Sequence, residues 1–152
     1  MKEQEPNKKI NGDTKGGTWK NNITEKWGEA VTSGDTGFQA VPDILIKNQT
    51  LLGLDTVDMT VLLNILIHWW EPEDMPHPRL SVIAKRMGTS VRTVERRVKK
   101  IEQLGYIQRL PSEQKTTSDG RQMTVRRFNL DGLVVKLQHL AKGARTAVIK
   151  KH

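Results

Sequence analysis

Between residues 80 and 105 the apolar side chains keep helical spacing twice, and only a short break separates the two runs. Leu80, Ile83, Ala84 and Met87 form the first stripe, which ends at Gly88; Val94, Val98, Ile101 and Leu104 form the second, which ends at Gly105. Glycine just past a periodic run is a helix stop, and Ser90, after the Gly88-Thr89 turn, is placed to cap the second helix. Thr93 stands three residues after Ser90 where a reciprocal box needs Glu or Gln, so the cap is a simple one. Downstream, residues 106–110 read as a strand, residues 111–122 as a polar loop with an Asp119-Gly120 turn signal, and residues 123–130 as a returning strand. Two short helices in tight sequence followed by a two-stranded ribbon define a winged helix-turn-helix, a mainly α fold with a small β-hairpin wing.

The elements around this unit follow from the same rules. Pro42 suits the first position of a short helix through residues 43–48, closed by Gly53. Asp55 or Thr56 caps a second helix running to Trp69 or Trp70. Val57, Met59, Val61, Leu62, Leu63, Ile65, Leu66, Ile67 and Trp69 make that helix apolar nearly all round, which predicts the central core helix. Pro72, Pro76 and Pro78 then enforce a loop. Asp131 caps a last helix with Leu133, Val134, Leu137 and Leu140 on its apolar face. The organisation expected is a disordered tail over residues 1–18, an N-terminal segment over 19–36, the winged domain over 37–142 and a basic tail over 143–152. Residues 1–18 have too little apolar surface to offset ordering entropy. In the segment 19–36, Trp19, Ile23, Trp27 and Val31 recur every four residues, either as a helix face for a protein partner or, with Trp27 and Phe38, as loop anchors for the core.

Composition narrows the function. The chain has 152 residues, about one domain, and no cysteine, which excludes disulfide scaffolds, thiol catalysis and cysteine-ligated metal centres. The first residues hold no apolar leader, and the apolar stretch 61–70 is too short to span a bilayer, so a cytoplasmic protein without membrane attachment is expected. The net charge of +8 is unevenly spread: residues 43–74 carry one basic and six acidic side chains, whereas residues 75–127 carry thirteen basic and four acidic. Positive charge concentrated in one fifty-residue stretch points to a polyanion. His68, His77, His139 and His152 are scattered without metal-ligand spacing, and no phosphate-binding glycine loop or nucleophile elbow is present, so neither an enzyme nor a cofactor is expected.

The second helix of the pair places the charge. With Val94, Val98 and Ile101 inward and about 100° per residue, Arg92, Arg96, Lys99 and Gln103 point outward. Thr93 and Lys100 flank them, and Arg97 lies nearer the core edge. Such a helix fits the major groove of B-DNA, where Arg92 and Arg96 each offer a bidentate fork to guanine. Ser90, Lys99 and Lys100 are expected along the phosphates. On the hairpin, Arg109, Lys115, Arg121, Arg126 and Arg127 suit the adjacent minor groove or backbone.

The run Ile83-Ala84-Lys85-Arg86-Met87-Gly88-Thr89-Ser90-Val91-Arg92-Thr93-Val94-Glu95-Arg96-Arg97-Val98, followed by Ile101-Glu102-Gln103-Leu104-Gly105-Tyr106-Ile107, resembles bacterial winged-helix DNA-binding domains. Ile83 and Ile101 stand where that pattern carries leucine. Together with the apolar helix, Gly37-Phe38-Gln39-Ala40-Val41-Pro42 resembles the N-terminal domains of phage and plasmid replication organisers and related helix-turn-helix regulators, so the likeness spans about residues 37–140. Such domains often cap the helix after the proline with Ser or Thr; here Arg79 stands in that place and is expected to contact a phosphate. The function expected is sequence-specific binding of double-stranded DNA by a transcriptional regulator acting as a homodimer, the alternative being a replication initiator that binds origin DNA and recruits partners.

Overall fold

A computed structural model describes residues 21–33 and 36–151, with side chains described as far as Ala144. The chain divides into two compact units, Met1–Ala40 and Val41–His152. In the first, residues 21–27 (α1) and Glu29–Thr32 (α2) are helical, broken by Gly28. Trp27 belongs to α1 rather than to a loop, and 56% of its surface is exposed. The expectations for residues 1–18 and for Trp19 lie outside the described residues.

The second unit runs α3 (Asp43–Lys47), α4 (Thr56–Leu66), α5 (Leu80–Met87), α6 (Val91–Gln103), β1 (Gln108–Arg109), β2 (Glu113–Thr116), β3 (Gln122–Val125), β4 (Phe128–Asn129) and α7 (Asp131–Lys151). Pro42 is the residue before α3 rather than its first helical position. In α4, Asp55 is the cap, and its carboxylate and that of Asp58 each accept the other's backbone N–H at 2.9 Å, a reciprocal box built from two aspartates. The helix ends at Leu66, short of the tryptophans, because the chain tightens there: His68 N–H donates to the Ile65 carbonyl and Trp69 N–H to that of Leu66.

The core lies where α4, α5 and α6 meet. Met59, Val61, Leu62, Ile65 and Leu66 of α4 are buried against Ile83 and Ala84 of α5 and Val94, Val98 and Ile101 of α6. Leu45, Leu52, Leu54, Tyr106, Ile107, Phe128, Leu130 and Leu133 close its edges. Each fully buried Leu, Ile or Val there contributes about 1.5–3 kcal/mol relative to leaving it in water. Leu63 is only partly buried and Ile67 is exposed, so α4 is less apolar in its surroundings than in its sequence.

The wing differs from the expected pair of long strands. It is two short antiparallel ladders in series: Gln108 and Arg109 pair with Asn129 and Phe128, then Glu113–Thr116 pair with Gln122–Val125. All of β2, and Gln122 of β3, lie inside the stretch expected as loop. Pro111 has no N–H to give a continuous ladder, and the Arg126-Arg127 step interrupts the return. Glu113, Gln114, Lys115 and Thr116 are all exposed, so no apolar alternation marks the strand. Tyr106 and Ile107 precede the strand and serve the core, Tyr106 donating its hydroxyl to the Leu52 carbonyl at 2.6 Å. Beside β4, Phe128 N–H donates to the Pro76 carbonyl, tying the proline loop to the base of the wing.

α7 continues to Lys151, through the stretch 143–151 expected as a basic tail. The helix starts against the end of α6. Leu133 N–H donates to the Tyr106 carbonyl, and a Cβ on Gly132 would lie 1.9 Å from the Gly105 carbonyl oxygen. Only glycine fits that approach.

Candidate nucleic-acid interface

The geometry of the interface is set by the turn between α5 and α6. Gly88 takes the left-handed conformation (φ 64°), and the N–H groups of Gly88 and Thr89 satisfy the carbonyls of Lys85 and Ala84. Ser90 then caps α6: its hydroxyl accepts Thr93 N–H at 3.1 Å and lies 3.0 Å from the Thr93 hydroxyl. Both hydroxyls are therefore engaged in starting the helix. Arg79 is the residue before α5 and makes no side-chain cap, as its identity implied.

Val94, Val98 and Ile101 of α6 are fully buried, which fixes the rotation of the helix about its axis. Arg92, Arg96, Lys99 and Gln103 consequently stand on the exposed side, as the helical period requires. Among the described residues none of Arg92, Arg96 and Lys99 has an ion-pair partner. Three uncompensated cations thus line one face of a 13-residue helix.

The flanks of α6 are different. On one side Arg97 reaches Asp55 at 2.6 Å and Asp58 at 3.3 Å, and Lys100 reaches Asp58 with a short hydrogen bond and Asp55 at 3.8 Å. Asp58 is 0% exposed, and no buried side-chain nitrogen or oxygen among the described residues lacks a partner. The Asp58 N–H, with the Arg97 guanidinium beside it, holds the Asp55 carboxyl down at about 2 despite the opposing effect of burial. The Asp55 hydrogen bond in turn raises the Arg97 guanidinium. Arg97 and Lys100, expected among the DNA contacts, each pair with Asp55 and Asp58 while keeping 27% and 39% of their side chains exposed.

On the opposite flank the signs are reversed. Glu95 and Glu102 of α6 hold Arg109 of β1, with Arg109 at 2.6 Å from Glu95 and 2.8 Å from Glu102, and its N–H also donating to Glu102. Burial works against the Glu102 charge, but the Arg109 hydrogen bonds outweigh it and the carboxyl is lowered. With 12% of its side chain exposed, Arg109, expected on the DNA-facing side of the hairpin, ties the wing to α6. Arg127 is likewise engaged, with Asp74 at 2.9 Å and with the Met75 carbonyl.

The remaining cations of the wing are exposed. Lys115 stands across from Met123 on the hairpin, Arg121 lies at its tip beside Asp119 at 3.2 Å, and Arg126 donates its Nε–H to the Leu110 carbonyl. Between the wing and the starts of α5 and α6 lies a cleft of about 420 Å³, lined among others by Arg79, Ser81, Thr124 and Arg126. The structure thus groups Arg79 and Arg126, together with the Glu95–Arg109 ion pair, around the cleft and keeps Arg92, Arg96 and Lys99 on the helix face. Sequence reasoning missed the acidic partners on both flanks; the available signal was the aspartate pair starting an otherwise apolar helix. No group of three or more metal-ligating side chains is assembled among the described residues, and none of their helices is long and apolar enough to cross a membrane.

Comparison with known protein families agrees with this reading of the fold. A family model described as a helix-turn-helix domain matches residues 52–107, from the turn before α4 to the core residue preceding the wing. No curated protein matches the chain. Among solved structures, a possible transcriptional regulator from Methanosarcina mazei Go1 is similar at 18% identity, covering 72% of this chain and 82% of that one with a TM-score of 0.41. The matched segment holds α4, α5, the Gly88 turn and the whole of α6, and a hairpin follows it, so the fold is a helix-turn-helix extended by a wing.

Proposed function

We propose that the chain binds double-stranded DNA sequence-specifically and acts as a transcriptional regulator, with α6 in the major groove and the wing beside it. The observation that carries this reading is the exposed row of Arg92, Arg96 and Lys99, which have no carboxylate partner among the described residues while neighbouring cations do. Guanidinium forks on the N-terminal half of a groove-sized helix suit the O6 and N7 acceptors of guanine. Lys115, Arg121 and Arg126, with Arg79 across the cleft, suit phosphates and contribute affinity without reading sequence. A homodimer would place two such helices about 34 Å apart, one turn of DNA.

Selection of bound duplexes from a randomised library tests the proposal. A recurrent motif containing guanines, repeated as an inverted pair about ten base pairs apart, is the expected result for a dimer. A motif without symmetry removes the dimer and keeps the reader. Bound pools no different from the starting library remove sequence-specific recognition.

A further inference from the structure

We infer that Lys100 and Arg97 are positioning residues: with buried Asp58 they fix the rotation of the recognition helix, and they do not hold phosphates. This rests on the DNA-binding reading above and changes which cations count toward it. Lys99 and Lys100 are neighbours in the chain with the same side chain, yet they point about 100° apart on α6. Lys99 is exposed without an ion-pair partner among the described residues, whereas Lys100 hydrogen-bonds Asp58 and lies 3.8 Å from Asp55. Arg97, one turn earlier on the same flank, bridges the same two carboxylates.

The arrangement acts as a two-point attachment. Asp58 belongs to the first turn of α4, and its carboxylate also accepts the Asp55 N–H, so it cannot shift without opening the α4 cap. Cations three residues apart on α6 grip this fixed anion. A helix free to roll about Val94, Val98 and Ile101 would carry Arg92 and Arg96 across the groove floor, and bidentate contacts tolerate only about 10–20° of misorientation. Taking Lys100 from Asp58 to reach a phosphate would also leave a fully buried carboxylate short of a cation, which is strongly unfavourable.

The experiment compares Lys99→Ala, Lys100→Ala and Lys100→Arg in the full chain, on a selected duplex and on a scrambled duplex of equal length, across several salt concentrations. Removing one cation from a phosphate reduces the slope of log affinity against log salt by about one unit. Lys99→Ala is expected to reduce that slope on both duplexes. Lys100→Ala is expected to leave the slope unchanged but to lower the preference for the selected duplex by about threefold or more, with Lys100→Arg restoring it. Should Lys100→Ala not fold, Lys100→Gln keeps a donor for Asp58 and is read the same way. Equal reductions in slope for Lys99→Ala and Lys100→Ala would overturn the inference and leave DNA binding standing. An unchanged preference in a folded Lys100→Ala variant would overturn it as well. A wild-type chain without measurable affinity for either duplex would overturn both the inference and the function it rests on.

Discussion

The outward face of α6 and its two flanks carry similar residue types and do opposite things. On the face, Arg92, Arg96 and Lys99 have no ion-pair partner among the described residues; on the flanks, Arg97 and Lys100 meet Asp55 and Asp58, and Glu95 and Glu102 meet Arg109. The wheel is therefore divided by sign as well as by polarity. Cations on one flank dock onto the acidic start of α4, and acids on the other dock onto the base of the wing. What separates a candidate DNA contact from a structural tie is whether an element packed alongside supplies the counter-charge. A count of basic residues in this stretch does not separate the two groups, since Arg97, Lys100, Arg109 and Arg127 are all paired with carboxylates of the fold.

Breaking what both regions stand on has the largest expected effect. Leu62→Ala or Ile65→Ala, at positions with no exposed surface in the core beneath α6, should cost about 2–5 kcal/mol in denaturant unfolding. Next is the flank itself. Asp58→Ala leaves Arg97 and Lys100 without their buried partner and should cost about 2–4 kcal/mol, less than for a wholly buried pair because both cations reach water. Gly132→Ala should cost about 1–3 kcal/mol, since the new methyl meets the Gly105 carbonyl and α7 must shift. Thermal or denaturant melts measure all of these.

The smallest effect sharpens the flank further. Asp55→Ala removes the α4 cap and one partner of Arg97, with an expected cost of about 1 kcal/mol at neutral pH. Because folding lowers the Asp55 carboxyl from 3.8 to about 2, its contribution is complete above 3.8 and fades as the pH falls toward 2. The stability gap between wild type and Asp55→Ala should therefore narrow over that interval in acid titrations followed by circular dichroism. A gap that stays constant would mean that Asp55 acts by packing rather than by charge.

These two regions were unequally legible in the sequence. The outward face could be read because one helical period, marked by Val94, Val98 and Ile101, fixes where every other side chain of α6 points. The flanks could not, because their meaning depends on Asp58 lying forty-two residues from Lys100 and on Arg109 folding back from the wing. Asp55 is recognisable as a cap at the start of the second helix, but the complete burial of Asp58 is a tertiary property. The wing was readable as a hairpin from its Asp119-Gly120 turn, while its two ladders were hidden by an all-polar strand and by Pro111. Gly132 carried no local signal, because a close approach is invisible until the neighbouring backbone is in place.

The central claim, that the outward arginines of α6 read bases, is tested most directly by the Arg92→Ala and Arg96→Ala variants on the selected and scrambled duplexes. Circular dichroism first establishes that both remain folded, as expected for exposed side chains without ion pairs among the described residues. Each variant should lose about 1–3 kcal/mol of affinity for the selected duplex, far less for the scrambled one, and discrimination at one base pair. Equal losses on both duplexes would make these arginines phosphate clamps, and unchanged binding would make the face of α6 a solvated surface.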